Sequence, residues 1–99
     1  MSKIETGEAI VLILQNPREK IFGILHEISA AGIFARGVDL NYFDEWARAI
    51  KNNEPYLAAQ DYFFPMWRVE RLSRDEGSDD MPSLKEQFMR QTGLNFEDF

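Results

Sequence analysis

Arg68, Arg71 and Arg74 recur every third residue beside Trp67, the one place in this sequence where basic and aromatic side chains interleave. Guanidinium groups neutralise phosphates and an indole stacks on an unpaired base. This is therefore the candidate ligand or RNA-binding surface. The competing reading pairs the same arginines with Glu70, Asp75 and Glu76, acids that would also repel a polyanion. His26 is the sole histidine and there are no cysteines. A His- or Cys-based metal site is therefore excluded, as are disulfides and a cysteine nucleophile. No serine elbow accompanies His26, which reads as a strand surface residue, with Glu27 on the opposite face by alternation. Asp75 to Asp80 lacks the alternating ligands, sixth-place glycine and twelfth-place glutamate of a calcium loop, so it reads as a solvated linker. Gly32 and Gly37 lead into a strand and match no phosphate-binding fingerprint. Asp44 and Glu45 fall where a helix dipole favours acids. No residue is assigned as catalytic or as a metal ligand, no cofactor is implied, and the chain reads as a non-enzyme.

These residues sit in a chain of 99, the length of one ordinary domain. Hydrophobic residues make up 44 %, enough for a core without metal or disulfide. The 11 Lys and Arg oppose 17 Asp and Glu, for a net charge of −6, the wrong sign for wrapping nucleic acid with the whole surface. The acidity is local: residues 1–38 are neutral, and residues 39–81 carry most of the excess. The N-terminus does not read as a signal peptide. The longest apolar run, Ala9 to Leu14, falls far short of the roughly 20 residues of a membrane helix. The expected location is cytoplasmic, away from membranes.

Residues 9–15 are apolar and rich in β-branched side chains, the pattern of a strand buried on both faces. A turn follows at Asn16-Pro17, then a second strand over 20–28 with Gly23 in its middle, where a glycine marks a bend. A third strand over 33–38 completes an antiparallel meander. Phe43, Trp46, Ala47 and Ile50 then fall on one helical stripe, with Asn41 as the expected N-cap of a helix over 41–52. Residues 61–64 and 69–72 read as fourth and fifth strands around a turn at Pro65 to Trp67. Ser83 to Glu86 is a capping box opening a helix that ends before Gly93. The organisation is thus a β unit over 1–74 with a helical insertion at 41–52, an acidic linker over 75–82, and a C-terminal helix with an aromatic tail over 83–99.

Five short strands with a bending glycine imply a mainly β, strongly bent antiparallel sheet that closes into an SH3-like or Sm-like barrel. The stretch Val11 to Phe34 resembles the first motif of the Sm/LSm family, which includes Hfq. Its carriers here are Val11-Leu12-Ile13-Leu14, Gly23, Leu25 and Ile33-Phe34, with Val69 and Leu72 as apolar positions of the later strands. The resemblance implies a small barrel that assembles by pairing edge strands of neighbouring copies. It departs at the RNA-contacting positions: Ser29 stands for an acidic residue, Ile33 for an Asn, Ala31 for an aromatic, and Met66-Trp67 for a Lys-His pair.

Two Trp, three Tyr and eight Phe are too many for the interior of so small a barrel. The surplus must lie under helices packed on the barrel or on an exposed patch, and Tyr62, Phe63, Phe64, Phe96 and Phe99 are the expected oligomer or partner interface. The expected function is a self-associating, homo-oligomeric interaction module; the alternative is an RNA-binding protein using Trp67 and the three arginines.

Overall fold

The β-branched run forms β1 (Ala9–Leu14) in the computed structural model, which describes residues 2–99. It pairs antiparallel with β2 (Glu19–Ile28), and β2 with β3 (Gly32–Asp39). A 3-10 turn at Leu40–Tyr42 leads into α1 (Phe43–Lys51). The chain returns as β4 (Gln60–Pro65) beside β3, makes a 3-10 turn at Met66–Arg68, and continues as β5 (Val69–Arg74) beside β1. Helix α2 (Leu84–Thr92) and a 3-10 turn at Phe96–Asp98 complete it.

The sheet order is β4-β3-β2-β1-β5. The expected closed barrel is corrected here: β4 and β5 form no ladder with each other, and both are open edges. In a flat sheet they would lie about 19 Å apart, at about 4.8 Å per strand spacing. Only the three residues Met66–Arg68 join them, about 6 Å of 3-10 rise. The sheet must therefore curl strongly without closing. Two glycines permit it. Gly23 of β2 faces Gly37 of β3 in register. A Cβ on Gly23 would lie 2.3 Å from the Arg36 carbonyl oxygen, and one on Gly37 2.1 Å from that of Phe22. The bending glycine expected at position 23 therefore has a partner, and neither tolerates a side chain.

Alternation splits the strands between two cores. Ile10, Leu12, Leu14, Ile21, Leu25, Ile33, Ala35 and Phe64 fill the concave face. Phe22 and Val38 point to the convex face, where they meet Phe43, Trp46, Ala47 and Ile50 of α1, Phe88 of α2, and Phe96. The Trp46 indole is fully buried, stacks on Phe88 at 5.1 Å, and donates through Nε1 to the Leu57 carbonyl. The aromatic surplus is thus largely internal, in a second core between the sheet and the helices.

The helix ends follow local chemistry. Ser83 and Glu86 form the expected capping box, and Gly93 ends α2 at φ 75° in the left-handed region. Asn41 is not the cap expected of it. Asp39 accepts from the Asn41 N–H, which starts the 3-10 turn two residues earlier, and α1 begins at Phe43 with no side-chain cap. The linker is only partly free. Asp75 accepts from the backbone N–H groups of Leu84 and Lys85, which ties the end of β5 to the start of α2.

Candidate functional site

The arginines beside Trp67 separate by what holds them. Arg68 donates to the carbonyls of Gln15 at 3.1 Å and Pro17 at 2.8 Å, and to the Glu19 carboxylate at 2.9 Å. It clamps the β1–β2 turn to the β4–β5 turn. Arg74 is forked onto Glu8, reaches the Lys3 carbonyl at 2.9 Å, and pairs with Glu76. The Arg74 hydrogen bond, helped by the Glu5 N–H, holds the Glu8 carboxyl below its ordinary pKa. The same bond raises Arg74 further above its own. Glu76, expected as a partner, is one; Glu70 instead pairs with Arg18 at 3.2 Å. Arg71 is exposed and, among the described residues, has no ion-pair partner within 4.0 Å. Trp67 is 65 % exposed, in the turn between the two edges. The four residues therefore do not converge as one cationic surface; Trp67 and Arg71 alone face solvent without a charge partner.

The aromatic candidates also divide. Phe96 is buried in the convex core at 3 % exposure, and Phe99 packs against Trp46 and Phe88 at 5.6 and 5.5 Å. The tail that carries these two expected interface residues docks on its own chain, against Phe22 of the sheet and the rings of both helices. Phe64 lies in the concave core, stacked on half-buried Tyr62 at 5.2 Å. Burial raises the Tyr62 hydroxyl above its ordinary pKa, with Asp39 and Glu19 adding to the effect. Phe63 alone is an open surface group, 45 % exposed, and it meets Phe34 of β3, 41 % exposed, at 4.7 Å between ring centroids.

Phe34 was not among the sequence candidates. It reads as an ordinary strand residue, and only the β3–β4 register, which sets it opposite Phe63, makes it part of a patch. On the convex face Val38 of β3 and Ala59, just before β4, share the core, and the cross-strand pairs that follow are Arg36 with Asp61, then Phe34 with Phe63. Arg36 is engaged by Asp61 at 3.2 Å and by the Phe99 carbonyl at 2.8 Å. The Phe34–Phe63 pair is uncovered.

No protein family, curated protein or solved structure matches this chain.

The hydrogen-bond parity of β4 follows from one contact. Met66 donates to the Ala31 carbonyl at 2.9 Å, which makes Ala31 and Met66 a hydrogen-bonded pair. Stepping back along the register, Phe64, Tyr62 and Gln60 bond to β3, and Pro65, Phe63 and Asp61 direct their backbone groups to the open edge. The β5 edge is different. Its register slips by one residue, leaving Glu70 as a bulge, and Glu70, Arg71 and Arg74 place charges along it. Bulges and charges are the usual means of blunting an edge. β4 has no bulge and carries three aromatics in succession.

A cleft of about 280 Å³ lies where His26, Arg36, Glu97 and Phe99 meet. His26 is the extra residue of a β-bulge, since Leu25 pairs with Ala35 and Glu27 with Phe34. The one cation of the cleft, Arg36, is already held by Asp61 and Phe99. Among the described residues no three His, Cys, Asp or Glu gather as a metal site. No described helix is long and apolar enough to cross a membrane.

Proposed function

We propose that this chain is a non-catalytic, self-associating interaction module built on a bent, Sm-like antiparallel sheet. The observation that carries it is the pairing-competent edge of β4, flanked by the uncovered Phe34–Phe63 pair. An edge strand without a bulge offers backbone donors and acceptors to another strand, and an exposed aromatic patch beside it offers apolar burial. The Sm-like reading draws its support from the β1–β3 meander, the glycine at the centre of the long β2, and the short link that carries the chain from one edge to the other. The internal commitment of Arg68 and Arg74 favours protein contact over RNA contact.

Light scattering across a hundredfold concentration range tests this. The expected result is a mass above the 11.5 kDa of one chain, rising with concentration. A mass that stays at 11.5 kDa throughout overturns the reading.

A further inference from the structure

Resting on that reading, we propose a specific occupant for the β4 edge: β4 of a second copy, antiparallel, with Phe63 on the two-fold axis. Asp61 and Phe63 present N–H groups to the edge, and Asp61, Phe63 and Pro65 present carbonyls. Pairing Phe63 with the partner's Phe63 sets Asp61 opposite the partner's Pro65. The two Phe63 groups then exchange reciprocal N–H···O bonds, and each Asp61 N–H donates to the partner's Pro65 carbonyl. No outward N–H of β4 is left unpaired, and the acceptor without a protein donor is the Asp61 carbonyl, which faces the partner's Pro65 nitrogen at the end of the ladder and is left to water.

Side chains choose between this register and its neighbour. Centring the pair on Tyr62 would satisfy the same donors but set each Asp61 carboxylate against the partner's Phe63 ring, with the two Asp61 groups close together. Centring on Phe63 puts ring against ring. A two-fold axis perpendicular to the sheet keeps both Phe63 side chains on the convex face, so the Phe34–Phe63 pairs of the two copies merge into one row of four rings. The Asp61 residues then lie four positions out of line, about 14 Å apart along the strand. The same register carries the partner's Met66–Arg68 turn, with its exposed Trp67, to the Gln60 end of β4. The result is one continuous ten-stranded sheet. A head-to-tail contact would instead place β4 against the bulged, charged β5 edge.

The chain has no cysteine, so single-cysteine variants report the axis directly. Across the axis the Cα atoms of residue 63 would lie about 5.5 Å apart, inside the disulfide range of about 4.4–6.8 Å. Residues 62 and 61 would be offset from their own copies by about 7 and 14 Å along the strand. Each of Phe63→Cys, Tyr62→Cys and Asp61→Cys is oxidised mildly and scored for covalent dimer, with circular dichroism confirming the fold. Phe63→Cys is expected to cross-link at least tenfold faster than the other two. Phe63→Glu, which sets two carboxylates face to face, is expected to weaken association by at least about tenfold. A wild-type chain that is monomeric at every concentration overturns both this proposal and the reading beneath it. An oligomer in which Phe63→Cys cross-links no faster than Asp61→Cys overturns this proposal alone. Fastest cross-linking at position 62 overturns the register, and cross-linking only between Phe63→Cys and Ser73→Cys chains, whose side chains share the convex face, overturns the two-fold in favour of a head-to-tail contact.

Discussion

Replacing Phe88 with alanine tests whether α2 belongs to the cooperative core or merely rests on it. The Phe88 ring is fully buried and contacts Trp46 at 5.1 Å, Phe99 at 5.5 Å, Phe96 at 5.8 Å and Phe43 at 6.4 Å. Truncating a buried Phe costs about 3–5 kcal/mol, and lost ring–ring contacts add to the upper part of that range. About 4.5 kcal/mol is expected. With a urea m-value of about 1.5 kcal/mol per molar, the midpoint falls by about 3 M. That is a large share of the roughly 5–15 kcal/mol that holds a domain of this kind folded. The assay is urea unfolding followed by Trp46 fluorescence in a Trp67→Phe background, a substitution at an exposed position worth about ±0.5 kcal/mol. Phe88→Ala should also red-shift the native Trp46 emission, because the ring stacked on the indole is gone. A midpoint shift below about 0.5 M, with Trp46 emission unchanged, would refute a shared core.

Three further outcomes are expected. Gly37→Ala forces a Cβ to within 2.1 Å of the Phe22 carbonyl oxygen. By thermal circular dichroism it should unfold outright or lose more than about 4 kcal/mol, while Gly7→Ala, at positive φ but in open space, loses about 1 kcal/mol. The depressed pKa of Glu8 means that its pairing with Arg74 stabilises the fold above the unfolded-state carboxyl pKa of about 4.3, and that this contribution disappears as pH falls through the lower folded value. Glu8→Gln should therefore be less stable than wild type at pH ~7, and the gap in urea midpoint should narrow by pH ~3; a gap that does not change with pH counts against the pairing. With Arg68 and Arg74 held internally, single-stranded RNA should not be retained at about 50 mM salt, where phosphate contacts are strongest. Retention that is lost on Arg71→Glu would instead establish the RNA-binding alternative.

Much of the fold was legible because its causes are local. The β-branched run of β1, the capping box at Ser83 and the left-handed Gly93 each declare themselves within a few residues. Gly23 announced a bend, although its need for Gly37 opposite depends on register, which sequence spacing does not reveal. Barrel closure was misread because it depends on the distance between β4 and β5, a sum of twist and curl over the whole sheet. The Asn41 cap failed because Asp39, two residues upstream, accepts the Asn41 N–H and starts a 3-10 turn there, which puts Asn41 inside the turn and not at its head. Nothing local to the tail states whether Phe96 and Phe99 pack under the helices or face a partner, because the rings that receive them, Trp46 above all, come from other elements. The reverse error left out Phe34, an unremarked strand residue until β4 set Phe63 against it.

The tie that Asp75 makes across the base of the acidic loop also has a practical use. With residues 75 and 84 clamped together, the exposed stretch between them behaves as a closed loop whose ends do not move when its length changes. Lengthening such a loop costs only about 0.6 kcal/mol per doubling. Ser78 to Asp80 is therefore where an epitope, a fluorophore-bearing peptide or a whole reporter domain can be spliced in with both cores undisturbed. The insertion lies away from the β4 edge in sequence and leaves that strand intact.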